Sequence, residues 1–226
     1  MRYRQDDPLP GWCELRRFAI HAPGPVTSLP LERQYPRERL LITRGRCQIS
    51  AGTESMVLRA GQFWDADEGV DDWRVAATTD DAEFLHLSGT WGDEIAGCGI
   101  WTLENEPEPS DAGDPVPYAK HTRMDSHYHD YDEYWFILDG AATAVVSGTF
   151  AEVAKGDCVT IGTGHHHDMP DVKQKMRGAF FETTLVRRKR LGHLWEHTHG
   201  PAEPDPIRSA ADMPRDCGNF ACLCRC

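Results

Sequence analysis

No stretch of this chain approaches the roughly 20 consecutive apolar residues that a membrane-spanning helix needs. Met1-Arg2-Tyr3-Arg4 leads into Gln5-Asp6-Asp7-Pro8 without the apolar core of a secretory signal. A cytoplasmic location with reduced thiols is therefore expected. Positive charge is scarce as well: 24 Lys and Arg stand against 36 Asp and Glu, a formal charge of −12. That surplus of acid repels a phosphate backbone and an anionic bilayer, so neither nucleic acid nor membrane is an expected partner. The carboxy terminus carries Cys217, Cys222, Cys224 and Cys226, but their spacing lacks the two paired knuckles of a structural zinc site. The tail is read as flexible and without independent function. Cys13, Cys47, Cys98 and Cys158 are scattered and read as small buried hydrophobes.

What is present concentrates in Ser126-His127-Tyr128-His129-Asp130-Tyr131-Asp132-Glu133, closed by Gly140 and answered by His165, His166 and His167. Two histidines separated by one residue on a strand point to the same face, and a Glu four residues on can return to that face from the next strand. Imidazoles with one carboxylate suit Fe(II), Mn(II), Zn(II), Ni(II) or Co(II), and disfavour both Ca(II) and thiolate-selective Cu(I).

The spacing is His-x-His-x-x-x-Glu, six residues, Gly. Downstream runs Gly156, five residues, Gly162-x-Gly164-x-x-His167. The pair resembles the two motifs of the cupin superfamily, whose fold is a small antiparallel, jelly-roll-like β-barrel, a double-stranded β-helix, holding one metal through three His and one Glu. The resemblance implies His127, His129, Glu133 and His167 as ligands of one divalent transition metal per chain, with Fe taken first. His121 stands where the first motif often opens with Gly, and Gly162 where the second usually has Pro. Neither is a ligand position.

The front half repeats the pattern. Glu38 precedes Gly45 as Glu133 precedes Gly140, and Gly45 to Gly61 matches Gly140 to Gly156, with a constant offset of 95 residues. Short apolar strands at turn-bounded intervals are an all-β signal, so two tandem cupin barrels are expected. The offset puts Glu32, Gln34, Glu38 and Asp72 at the places of His127, His129, Glu133 and His167. An all-oxygen set could hold a hard cation; the preferred reading is a degenerate barrel kept for stability. The expected organisation is 1–100 for that barrel, a Pro- and acid-rich linker at 101–118, the metal-binding barrel at 119–192, and an arm with the Cys-rich tail at 193–226. Within the arm, His193, His197 and His199 share no single conformation that would gather all three. Arg187-Arg188-Lys189-Arg190 reads as a solvated strand end, with a phosphate contact as the alternative.

Strand parity places Arg123 and Asp125 with the ligand histidines, and Trp135 with Glu133. Arg123 and Trp135 are the candidate substrate contacts, Arg123 for a carboxylate or phosphate. Tyr131 is the candidate proton donor, and Asp125 is an orienting acid or a solvated one. Three activities are open: an Fe(II)-type oxygenase acting on a small organic molecule, a metal-assisted sugar or keto-acid isomerase, epimerase or lyase, and a non-catalytic small-molecule binder. The oxygenase ranks first because Tyr128, Tyr131, Tyr134, Trp135 and Phe136 surround the ligands. A homodimer is compatible with each.

Overall fold

The computed structural model describes residues 1–24, 27–109 and 112–210. Among these the regular secondary structure is nearly all strand, and no helix is long and apolar enough to cross a membrane. It divides into two compact units, one of Glu14–Trp91 with Cys98–Ile100, the other of Met1–Cys13, Gly92–Gly97 and Trp101 onward.

The opening strand, β1 (Arg2–Arg4), belongs to the second unit. The amino-terminal unit follows with β2 (Leu15–His21), β3 (Ser28–Glu32), β4 (Arg37–Arg44), β5 (Arg46–Ala51), β6 (Glu54–Arg59), β7 (Phe63–Asp65), β8 (Asp72–Ala77) and β9 (Glu83–Gly89). They form two four-stranded sheets, β2-β9-β4-β7 and β3-β8-β5-β6. The pattern behind this is alternation. Cys47 and Ile49 on β5 and Trp73 and Val75 on β8 are buried, while Gln48, Asp72 and Arg74 between and beside them are not. Side chains of period two give each strand one apolar face, and these faces close on Leu40, Ile42 and Phe84.

The carboxy-terminal unit adds β10 (Ile95–Leu103, less Cys98–Ile100, which group with the other unit), β11 (Glu133–Val146), β12 (Thr149–Ala154), β13 (Asp157–Ile161) and β14 (His167–Thr184). Its sheet runs β1-β13-β11-β14-β10, with β12 also on β11. Strands of 14 and 18 residues are too long for a flat small sheet. They bend instead: four register shifts interrupt the β11–β14 ladder between Ile137 and Val145, and bulges of this kind curve a strand around its own core. Gly140 sits in that bend at φ +81°, where a Cβ would lie 2.4 Å from the Lys175 carbonyl oxygen. Only glycine fits there. Gly45, 95 residues earlier, has φ +62° and the same crowding, against Thr79 and Asp81.

The offset holds in the ladders. Cys47 pairs with Leu58 in the β5–β6 hairpin and Ala142 with Val153 in the β11–β12 hairpin. Glu32 pairs with Asp72 as His127 pairs with His167.

The division of the chain differs from the boundaries expected at 1–100, 101–118, 119–192 and 193–226. Arg2 pairs with Val159, so β1 completes the edge of the carboxy-terminal sheet. Residues 101–103 are strand, because Trp101 and Leu103 are apolar enough to pack into that unit's core. Residues 104–109 and 112–118 form neither helix nor strand, as their prolines require. The arm contains two helices of about one turn, α1 (Glu196–His199) and α2 (Pro206–Ala210). Leu194 and Ala202 are buried against Tyr128, which keeps the arm on the unit.

Candidate metal centre

From Tyr128 to Glu133 the chain alternates between two surroundings. His129, Tyr131 and Glu133 face one side, together with His127. Tyr128, Asp130 and Asp132 face the arm, meeting Leu194, Arg190 and Arg208. His167 begins β14 and is bridged to His127. The Nε2 atoms of the three histidines and a Glu133 oxygen lie within 4.8 Å of one another, and all four residues are buried. His127 Nε2 is 3.1 Å from His129 Nε2, and Glu133 Oε2 is 3.2 Å from His129 Nε2 and 3.0 Å from His167 Nε2.

The surroundings aim these atoms. His127 Nδ1 donates to the Asp125 carbonyl at 2.8 Å, His129 Nδ1 to the Gly192 carbonyl at 3.0 Å, and His167 Nδ1 to the His165 carbonyl at 2.9 Å. A proton held on Nδ1 leaves the Nε2 lone pair facing inward. Trp135 Nε1 donates to Glu133 Oε1 at 2.7 Å, so Oε2 is left for the cluster. Glu133 Oε2 and His167 Nε2 have no hydrogen-bond partner of proper geometry. Buried polar atoms are seldom left so, and a cation among them would satisfy both. Burial, reinforced by the other histidines, pushes His127 well below its ordinary pKa and also lowers His129. Burial alone would raise Glu133, but the His129 and His167 rings outweigh it and hold the carboxyl well below the usual range. Neutral imidazoles and an ionised carboxylate are the states that bind a divalent metal. The N and O donors suit a first-row transition ion, and the residues fit that group.

A cavity of about 180 Å³ opens on the cluster. Its apolar wall is Trp101, Met124, Trp135 and Phe180; its polar wall is His127, Glu133, Glu182 and His193. Among the described residues none on the wall is Lys or Arg. Glu182 lies opposite Glu133 in the β11–β14 ladder. Burial and then the Glu133 charge push its carboxyl up to about 8. His193 stacks on His127 with ring centres 3.6 Å apart, and its Nδ1 donates to both Asp125 oxygens at 2.9 Å. Sequence reasoning missed both Glu182 and His193 as wall residues.

The remaining candidates divide. Trp135 stands on the cavity wall. Tyr131 does not: its ring stacks behind His129, 4.4 Å between centres, and its hydroxyl donates to the Gly192 carbonyl at 3.4 Å. Arg123 faces solvent and pairs with Glu106 at 3.5 Å, because its segment is a loop and strand parity does not apply to it. The Asp125 carboxylate accepts from His193 and from Trp195 Nε1. In the arm, His197 donates to Asp114, as does His166 from beside β14, while His199 accepts from the Trp195 amide. The basic run is used internally: Arg187 and Arg188 approach Glu203, Lys189 pairs with Glu94, and Arg190 with Asp130. The tail cysteines at 217, 222, 224 and 226 lie outside the described residues.

The amino-terminal unit shows what replaces such a cluster. Glu38, counterpart of Glu133, accepts from the Gln34 and Tyr35 amides through Oε1, and from His86 Nε2 and Ser88 Oγ through Oε2. Glu32, Gln34 and Asp72 are exposed. His86 comes from β9, a position the offset did not test.

A fold of this kind with this His and Glu geometry defines a cupin. A family model described as "Cupin domain" matches residues 116–176. The chain is 46% identical over 206 residues to "Uncharacterized protein y4oW" of Sinorhizobium fredii, covering 91% of this chain and 95% of that one. Among solved structures it is similar to an IolB-like protein of Salmonella typhimurium, with TM-score 0.54 and 15% identity over 82% of this chain and 89% of the other. A mutant oxalate decarboxylase of Bacillus subtilis gives TM-score 0.54 and 11% identity over 86% and 79%. The chain belongs to the cupin superfamily.

Proposed function

We propose that this protein is a metal-dependent enzyme acting on a small organic molecule at the cavity beside His127, His129, Glu133 and His167, with Fe(II)-type oxygenase activity. The observation that carries this is the meeting of three inward Nε2 atoms and an unpartnered carboxylate oxygen at a cavity with one apolar wall and, among its lining residues, no Lys or Arg. A sugar phosphate or keto acid calls for basic groups on that wall; an uncharged or aromatic substrate does not. A bound Fe(II) supplies Lewis acidity and redox chemistry with dioxygen. The chain's own residues do the rest. Trp101, Trp135, Phe180 and Met124 hold the apolar body of the substrate and exclude water, while Glu182 and His193 offer it hydrogen bonds. Tyr131 backs the His129 ring.

The same two polar groups favour a second reading, isomerase, epimerase or lyase chemistry, because a carboxyl and an Asp-oriented imidazole on one wall can move a proton between neighbouring substrate atoms. Oxygen uptake by protein reconstituted anaerobically with Fe(II), against a panel of small aromatic and apolar substrates, separates the two. Uptake that stops in His129→Ala is the expected result. Anaerobic turnover, or solvent deuterium entering the substrate without uptake, would establish the second reading in place of the first.

A further inference from the structure

We propose that the carboxy-terminal arm is part of the metal centre, with Arg190 as a positioning residue that, through Asp130, holds the Gly192 carbonyl against the ring of His129. This rests on the metal reading above and deepens it.

The three histidines are not oriented alike. His127 and His167 each donate Nδ1 to the carbonyl two residues earlier, so their own segments orient them. His129 does not: the carbonyl two residues before it, that of His127, accepts the His167 amide at 2.9 Å and takes no hydrogen bond from the His129 ring. Its acceptor comes instead from Gly192, 63 residues later. Gly192 sits in a short antiparallel run against the motif. Leu194 exchanges two backbone hydrogen bonds of 3.0 Å with Tyr128, Gly192 meets His129, and Arg190 meets Asp130.

The last of these is the strongest. The Arg190 guanidinium makes a two-pronged contact with the Asp130 carboxylate at 2.8 and 2.9 Å, and the Arg190 amide adds a third hydrogen bond at 3.1 Å. The Asp130 side chain is 3% exposed and the Arg190 side chain 26%, so solvent competes little for the pair. Arg190 and Gly192 are two residues apart, and Asp130 and His129 are adjacent. Fixing the first pair therefore fixes the second. His193, next along, lies flat on His127, so the arm also walls the cavity.

The test uses full-length protein with 15N-labelled histidine, read by NMR and by zinc competition against a chelator. In Arg190→Ala the zinc Kd is expected to rise about tenfold or more, the usual effect of losing a ligand's outer partner. The His129 Nδ1 proton should exchange faster with water, while those of His127 and His167 keep their wild-type rates. Asp130→Asn should do the same. Lys189→Ala, which removes only an exposed pair with Glu94, should change neither reading. Unchanged zinc affinity and unchanged His129 exchange in Arg190→Ala overturn the proposal, and so does equal acceleration at all three histidines, which would mark general loosening. Should Arg190→Ala fail to fold, Arg190→Lys and Asp130→Asn decide by the same readings. If wild-type protein takes up no metal, the metal reading fails, while His129 exchange in the metal-free protein still decides the role of Arg190.

Discussion

What a buried carboxylate can bind depends on which of its lone pairs the protein leaves unused. Glu133 and Glu38 occupy equivalent places in the two units, and their neighbours decide their fates. Four donors close on Glu38, whereas Trp135 takes one oxygen of Glu133 and leaves the other. Trp135→Phe should therefore free Oε1 to rotate away, weakening zinc or cobalt binding about tenfold in a chelator competition while the fold persists. His21, in the amino-terminal unit, gives a pH prediction. Burial, with help from His86 and Arg17, lowers it from 6.5 to about 4. A histidine depressed in the folded state binds its proton more readily when unfolded, so stability falls as pH drops from about 6.5 towards 4 and the loss is complete below that. His21→Leu, keeping the contact with Phe84, should flatten the dependence of Tm on pH across that window.

At the scale of elements, the bend in β11 and β14 is the device that brings both ends of β14 to Glu133, His167 at 3.0 Å from its Oε2 and Glu182 opposite it in the ladder. Gly140→Ala places a methyl against the Lys175 and Gln174 carbonyls at a positive φ, and should cost about 2 to 4 kcal/mol in denaturant unfolding. The same bend explains what the sequence could not disclose. His127, His129, Glu133 and His167 are legible because each lies at a fixed step within a short motif, and the hairpins are legible because glycines mark their turns. Glu182 is not. Fifteen residues separate it from His167, an odd number, so strict alternation would put the two on opposite faces, and the bulges that reverse the parity leave no mark in composition. His193 and the Gly192 carbonyl escaped for a different reason, since a contact 63 residues away in sequence has no local signal. Arg123 shows the converse, since strand parity does not hold where the backbone forms no strand.

For the molecule as a whole, each unit closes its own apolar core, yet one ligand cluster of three His and a Glu forms among the described residues. Metal analysis after reconstitution should give one ion per chain, and Glu38→Gln with Asp72→Asn should leave that number unchanged. Glu38→Gln should still lower stability, by roughly 1 to 3 kcal/mol, because an amide cannot accept from all four donors at once. Loss of the ion in that double variant would show that the amino-terminal unit takes part in binding.

The pairing of β1 with β13 sets an order of events during synthesis. Met1 packs into the carboxy-terminal core and its carbonyl accepts the Thr160 amide, so this segment has its partners more than 150 positions downstream. At ordinary translation speeds that is a wait of roughly 8 to 30 s. Strands β2 to β9 emerge during that interval with all their partners at hand. The metal-bearing sheet can close its edge only by reaching back to a segment made more than 150 residues earlier, which makes it the later and slower of the two units to fold.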